Sequence, residues 1–173
     1  MALRRSRVTP FLWYDGAAEE AARYYVSVFG EGSRIVSASP MVVSFTLDGQ
    51  PFMALNGGPT YRFNEAVSFY VECRDQEEVD YYWKALGRGG EPGRCGWLKD
   101  RWGLSWQVVP RALAECLGGP DKAGAQRAMA AMLRMGKLRV KALEAAYRRG
   151  GRDSTSMASG PRRGVPRREG GRR

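Results

Sequence analysis

Twice along the chain, a short run with the apolar and aromatic character of a strand gives way to apolar residues at three- and four-residue spacing, closed by a glycine. In the first copy, Thr9-Pro-Phe-Leu-Trp-Tyr14 has strand composition, and Asp15 stands where it can cap a helix. Ala18, Ala21, Ala22, Tyr25 and Phe29 then mark one helical face, with Glu19, Glu20, Arg23 and Ser27 left for water and Gly30 as the stop. In the second copy, Ala66 to Cys73 alternates, Asp75 and Glu78 have capping-box spacing, and Val79, Tyr82, Trp83 and Leu86 form the buried stripe before Gly87.

More strand follows each helix. The stretches 34–38, 41–47 and 50–56 come after the first, the last two joined by Asp48-Gly49, a tight-hairpin signal. Cys95 to Leu98 and Leu104 to Pro110 come after the second. The pattern predicts an α+β domain of two half-sheets over residues 8–110, in modules of about 8–56 and 66–110 joined through Gly57-Gly58-Pro59. Residues 111–149 read as helices packed on that domain. Pro110 suits a first helical turn, Gly118-Gly-Pro120 breaks the first helix, and Asp121 caps the next. Ala125, Met129, Met132 and Leu133 are expected to share one face, packed against the sheet or a second subunit, and Val140, Leu143 and Tyr147 to share another.

Charge changes the picture less than its total suggests. The net charge is +10, but residues 1–7 supply +3 and residues 150–173 supply +5 from seven arginines against Asp153 and Glu169. What is left for the folded part is +2. The Arg/Gly-rich segment 150–173 has little to bury and reads as a disordered basic tail. It has no aromatic residue to stack on bases, so nucleic acid is not an expected partner except for non-specific contact through this tail. The three cysteines, an odd number, point to reduced thiols and a cytoplasmic protein, and no apolar run is long enough to span a membrane.

Three separated segments carry a resemblance: Thr9 to Asp15, Ala54-Leu-Asn-Gly-Gly-Pro59, and Cys95-Gly-Trp-Leu-Lys-Asp-Arg-Trp-Gly-Leu-Ser-Trp-Gln-Val-Val-Pro110. In this order they resemble the PhnB-like branch of the vicinal oxygen chelate (glyoxalase/bleomycin resistance) superfamily, over about residues 8–149. The resemblance implies two βαβββ modules whose sheets curl around a pocket, and a homodimer. Relatives are often labelled 3-demethylubiquinone-9 3-methyltransferase-like. The chain lacks the glycine-rich strand-to-helix turn that a nucleotide-type methyl donor normally requires.

Metal-using members of the superfamily hold an ion with His or Glu at one position on each of four strands. By motif, those positions resemble Thr9, Asn56, Ser68 and Gln107 here. The chain has no histidine, and hydroxyls and neutral amides are poor ligands for a divalent transition metal, so neither metal nor cofactor is expected. With Phe11, Trp13 and Tyr70 as aromatic walls, the four polar residues outline a pocket for a small organic molecule. Among the carboxylates near strand ends, Asp15, Glu65, Glu72 and Asp100, none stands out as a general acid or base. The leading expectation is a metal-independent small-molecule binding homodimer. The alternative is an enzyme of the superfamily's kind, a lyase, isomerase, dioxygenase or transferase of unknown substrate.

Overall fold

The computed structural model describes residues 7–149; the tail from 150 and the first six residues lie outside the described residues. The first module runs β1 (Phe11–Tyr14), α1 (Ala18–Phe29), β2 (Arg34–Ala38), β3 (Val42–Leu47) and β4 (Gln50–Asn56). The second runs β5 (Phe69–Cys73), α2 (Gln76–Leu86), β6 (Glu91–Pro92), β7 (Trp97–Lys99) and β8 (Ser105–Pro110). Each is βαβββ, and each sheet has the same order: β1-β4-β3-β2 in one, β5-β8-β7-β6 in the other. The first strand of each module pairs parallel to its last, and the other pairs are antiparallel. Three helices follow: α3 (Arg111–Gly118), α4 (Lys122–Met132) and α5 (Val140–Arg148). No helix among the described residues is long and apolar enough to cross a membrane.

Local chemistry explains most boundaries. Asp48 and Gly49 both have positive φ, 46° and 78°, which the two-residue turn between Leu47 and Gln50 requires. Gly30 ends α1 at φ 64°, its N–H donating to the Val26 carbonyl. Asp75 caps α2 by accepting the Glu78 N–H at 2.9 Å. The reciprocal half of the capping box is shifted by one residue, because the Glu78 carboxylate takes the N–H and guanidinium of Arg74 instead.

Four expectations are corrected. Asp15 is exposed and does not cap α1; the side-chain amide oxygen Oδ1 of Asn56, arriving from β4, accepts the Ala18 N–H at 2.8 Å. Pro110 closes β8 rather than opening a helical turn. Cys95 lies in a turn at φ 58°, ahead of β7. On α4 the buried positions are Gly124 and Ala128, whereas Met129 is 40 % and Leu133 52 % exposed. The stripe was misread because α4 approaches its neighbour through small residues: a Cβ on Gly124 would come within 2.7 Å of the Tyr147 carbonyl. Such close approach favours the Gly–Ala face over the bulkier one.

Both modules turn their helix-covered faces into one core. Leu12, Tyr14, Phe45, Phe52 and Ala54 from the first meet Val71, Leu98, Trp106 and Val108 from the second. Tyr25 of α1 is the pivot, with Trp106 and Trp102 packed edge-on at 5.3 and 5.4 Å. A smaller core joins the end of β8 to the C-terminal helices through Val109, Leu113, Cys116, Leu138 and Leu143. Gln76 ties these helices to α2, donating to the Leu138 carbonyl and accepting the Val140 N–H at 2.8 Å, and Lys137 pairs with Asp80 at 2.6 Å.

Candidate functional site

Because the helices cover the inward faces, the alternate residues of every strand point outward. On the first sheet these include Phe11, 53 % exposed, and the half-buried Trp13, opposite Met53 and Leu55 of β4. Across β3 and β2 the same face turns polar, with Ser44 opposite Met53 and Arg34 opposite Thr46. On the second sheet the outward row is Tyr70, Gln107 and Trp97, in register across β5, β8 and β7. The amide of Gln107 is thus flanked by two aromatic side chains on neighbouring strands, and its Nε2 donates to Ser68 Oγ at 2.9 Å. One row further along, Ser105 lies opposite Lys99, whose ammonium pairs with Glu65 at 2.6 Å.

Ser105 Oγ is a buried hydroxyl without a hydrogen-bond partner among the described residues, and it lines a recess of about 160 Å3 shared with Trp97, Lys99 and Glu65. Ser105, Trp97 and Lys99 are not among the pocket positions that the family resemblance implies. Strand alternation is the signal that finds them, since all three share the outward face with Gln107.

A second cavity, of about 430 Å3, lies at the junction of the modules, where Trp13 from the first sheet and Lys99 from the second both reach it. Tyr61, Phe63 and Trp102 complete its aromatic wall, beside Arg62. Trp13 is fixed there by donating to the Gly58 carbonyl at 2.8 Å and by Tyr61, packed edge-on at 4.9 Å. Gly57 is required at this point, because any Cβ would collide with the indole of Trp13.

The expected pocket residues therefore divide. Ser68, Tyr70 and Gln107 come together on the second sheet, Ser68 just ahead of β5. Thr9, just ahead of β1, belongs with Phe11 and Trp13 on the first. Asn56 joins neither set: it follows the inward-facing Phe52 and Ala54, and its amide is spent on the Ala18 N–H and the Pro40 carbonyl. This matters for any metal. The four positions do not come together as one set, and their donors are hydroxyls and neutral amides. Among the described residues, no group of three His, Cys, Asp or Glu is placed to hold an ion. The donor set does not fit a transition metal.

The candidate carboxylates are also accounted for. Asp100 is buried and accepts from Tyr25 Oη at 2.6 Å, Trp106 Nε1 at 2.9 Å, and the N–H groups of Trp102 and Leu104. Burial pushes its carboxyl above the ordinary value, while these four donors oppose the shift. Glu72 pairs with Arg111 at 2.7 Å. The hydrogen bond from Lys99 holds the Glu65 carboxyl below its usual range. Burial raises the Cys73 thiol to about 12, so it stays protonated at neutral pH.

Comparison with known proteins agrees with this architecture. No functionally curated protein matches the chain. Among solved structures, a putative 3-demethylubiquinone-9 3-methyltransferase, PhnB protein, from Bacillus cereus is 32 % identical with a TM-score of 0.56, over 61 % of this chain and 99 % of that one. Protein PA1353 from Pseudomonas aeruginosa is 20 % identical with a TM-score of 0.50, over 61 % and 97 %, a likeness of fold alone. A glyoxalase/bleomycin resistance protein from Albidiferax ferrireducens is 14 % identical with a TM-score of 0.45, over 61 % and 99 %. The sequence profile of the 3-demethylubiquinone-9 3-methyltransferase family matches residues 6–109, which is both βαβββ modules and none of the C-terminal helices. The chain belongs to that family, the PhnB-like branch within the glyoxalase/bleomycin resistance fold.

Proposed function

We propose that the protein binds a small organic molecule on its outward sheet faces, without a metal, and that it does so as a homodimer. The observation carrying this reading is the Tyr70–Gln107–Trp97 row with Ser68 beside it: a neutral amide and a hydroxyl between aromatic side chains, on a face the chain leaves half open. Such a row offers stacking area and a few oriented polar groups, the usual composition of a ligand site. Phe11 and Trp13 would supply the apolar wall, and Thr9 a further hydroxyl. They lie on the other sheet, so a second copy that brings its first sheet over this face would enclose the ligand. Exposed Phe11, Val36, Met41, Val67 and Tyr70 are the kind of apolar surface that a dimer covers. Three unpaired cysteines, Cys73, Cys95 and Cys116, suit a reducing, cytoplasmic setting.

The test is a thermal-shift screen of metabolites and antibiotics against the full chain and a Ser68→Ala/Gln107→Ala variant. A compound at about 100 times its Kd stabilises the folded state by about 2.7 kcal/mol, a shift of several degrees. At least one compound is expected to shift the parent protein and to lose most of that shift in the variant. Equal shifts in both proteins, or none in either, would count against the reading.

A further inference from the structure

The two βαβββ modules are acidic where the helices after them are basic. Residues 8–110 carry nine Lys and Arg against thirteen Asp and Glu, a net of −4, while residues 111–149 carry nine against three, a net of +6. The small recess on the second sheet shares the sign of the modules. Glu91, Lys99 and Ser105 stand in register across β6, β7 and β8, one row beyond Trp97 and Gln107, and Glu65 reaches that row from the segment before β5. Two carboxylates and one ammonium therefore line the recess of about 160 Å3.

The ammonium is already engaged. Lys99 Nζ meets Glu65 at 2.6 Å, and among the described residues Glu91 has no cation within ion-pair distance. The Glu65 hydrogen bond holds the Lys99 ammonium above its ordinary value against the cost of burial, and the charge of Glu91 adds to that effect, so Glu91 is felt within the recess. Ser105 is 1 % exposed, and its Oγ has no hydrogen-bond partner among the described residues. A buried hydroxyl left unpaired is costly and calls for a partner.

An ammonium group finds all it needs here: Oγ of Ser105 to accept an N–H, Glu91 as counter-charge, and the indole of Trp97 to attract the cation. An anion meets the reverse, an occupied lysine and a second carboxylate that repels it. Volume selects as well, since whole-ligand pockets run from about 300 Å3 upward and this recess admits one end of a molecule. Entry asks little of the protein, because the Lys99–Glu65 pair in its lining is 33 % and 62 % exposed, and an ion pair so open to water parts at small cost.

We propose that this recess holds the ammonium group of an aromatic amine with a short alkyl chain, with Glu91 as counter-ion and Ser105 Oγ as acceptor, and that the ring lies over the Tyr70–Gln107–Trp97 row. Placing the ring there rests on the sheet-face binding proposed above, and the charge of the recess narrows that ligand to an amine.

The experiment is isothermal titration of the full chain with three probes of similar size, 2-phenylethylamine, 2-phenylethanol and 3-phenylpropanoate, at neutral pH. The amine should bind at least about tenfold more tightly than the alcohol, and the propanoate more weakly than either. Glu91→Gln should weaken the amine about fivefold more than it changes the alcohol. Ser105→Ala should weaken the amine about tenfold and melt no lower than the parent, since its hydroxyl has no partner to lose. Should Ser105→Ala fail to fold, Glu91→Gln, on the exposed β6, carries the test. An amine that does not bind, that binds no better than the alcohol, or that keeps its advantage in both variants overturns the proposal. So does a propanoate that binds best, which would assign the recess to an anion on Lys99. The Ser68→Ala/Gln107→Ala variant separates the two readings. If it weakens all three probes alike while the amine has no advantage, sheet-face binding stands and the amine falls. If it binds all three like the parent while the amine keeps its advantage, the recess stands and the row is not where the ring lies.

Discussion

Asp100 shows how one residue can hold two modules together. It lies in the turn before β8, while the phenol it accepts from belongs to α1 of the other module, and Tyr25 in turn meets Tyr14 Oη of β1 at 3.1 Å. A buried carboxylate with four donors is stable only while all of them stay in place. Tyr25→Phe should cost about 1 to 3 kcal/mol in urea unfolding. Asp100→Ala should cost on the order of 3 to 5 kcal/mol, since it orphans an indole N–H, two backbone N–H groups and a phenol. If both variants lost less than about 0.5 kcal/mol, the network would not be what joins the modules. Asp100 also shows where sequence reading stops. Its neighbours in sequence mark it as a turn residue, but Tyr25 is 75 positions away, and nothing local announces the bond.

At the scale of elements, legibility followed period and punctuation. Asp48-Gly49, Gly30, and the alternation around Val71 and Trp106 each placed an element, because local sterics and burial alone decide them. The α1 cap was missed because its acceptor, Asn56, comes from a strand 38 residues later. The α4 face was missed because its sequence supports two stripes, and tertiary packing chose the smaller one. β6 was missed because Glu91–Pro92 is too short to carry a pattern. For the site, the motif resemblance named Thr9, Asn56, Ser68 and Gln107; the structure sets Ser68 and Gln107 beside Tyr70 on one outward face and gives Asn56 the opposite parity on β4, which a motif resemblance does not register. Where a cap is local, its effect is calculable: Asp75→Ala should destabilise the protein by about 1 kcal/mol, with Asp75→Asn close to neutral. Equal losses in the two variants would place the contribution of Asp75 outside the hydrogen bond to Glu78.

On the whole-molecule scale, an acidic two-module domain turns its helices inward and its sheet faces outward, and a basic helical hairpin is tied to it through Gln76 and Lys137. With the helices turned inward, the apolar row on one sheet and the polar row on the other both face away from the shared core. On the proposed function, a single chain presents two half-sites. That is the physical argument for pairing, and pairing is the step on which the small-molecule reading most depends. The direct measurement is the mass of the full chain by sedimentation equilibrium at micromolar concentration. With a chain mass of 19.2 kDa, the account predicts a species of twice that mass, reduced toward the single-chain value by Phe11→Glu. A parent protein that sediments as a single chain would contradict it.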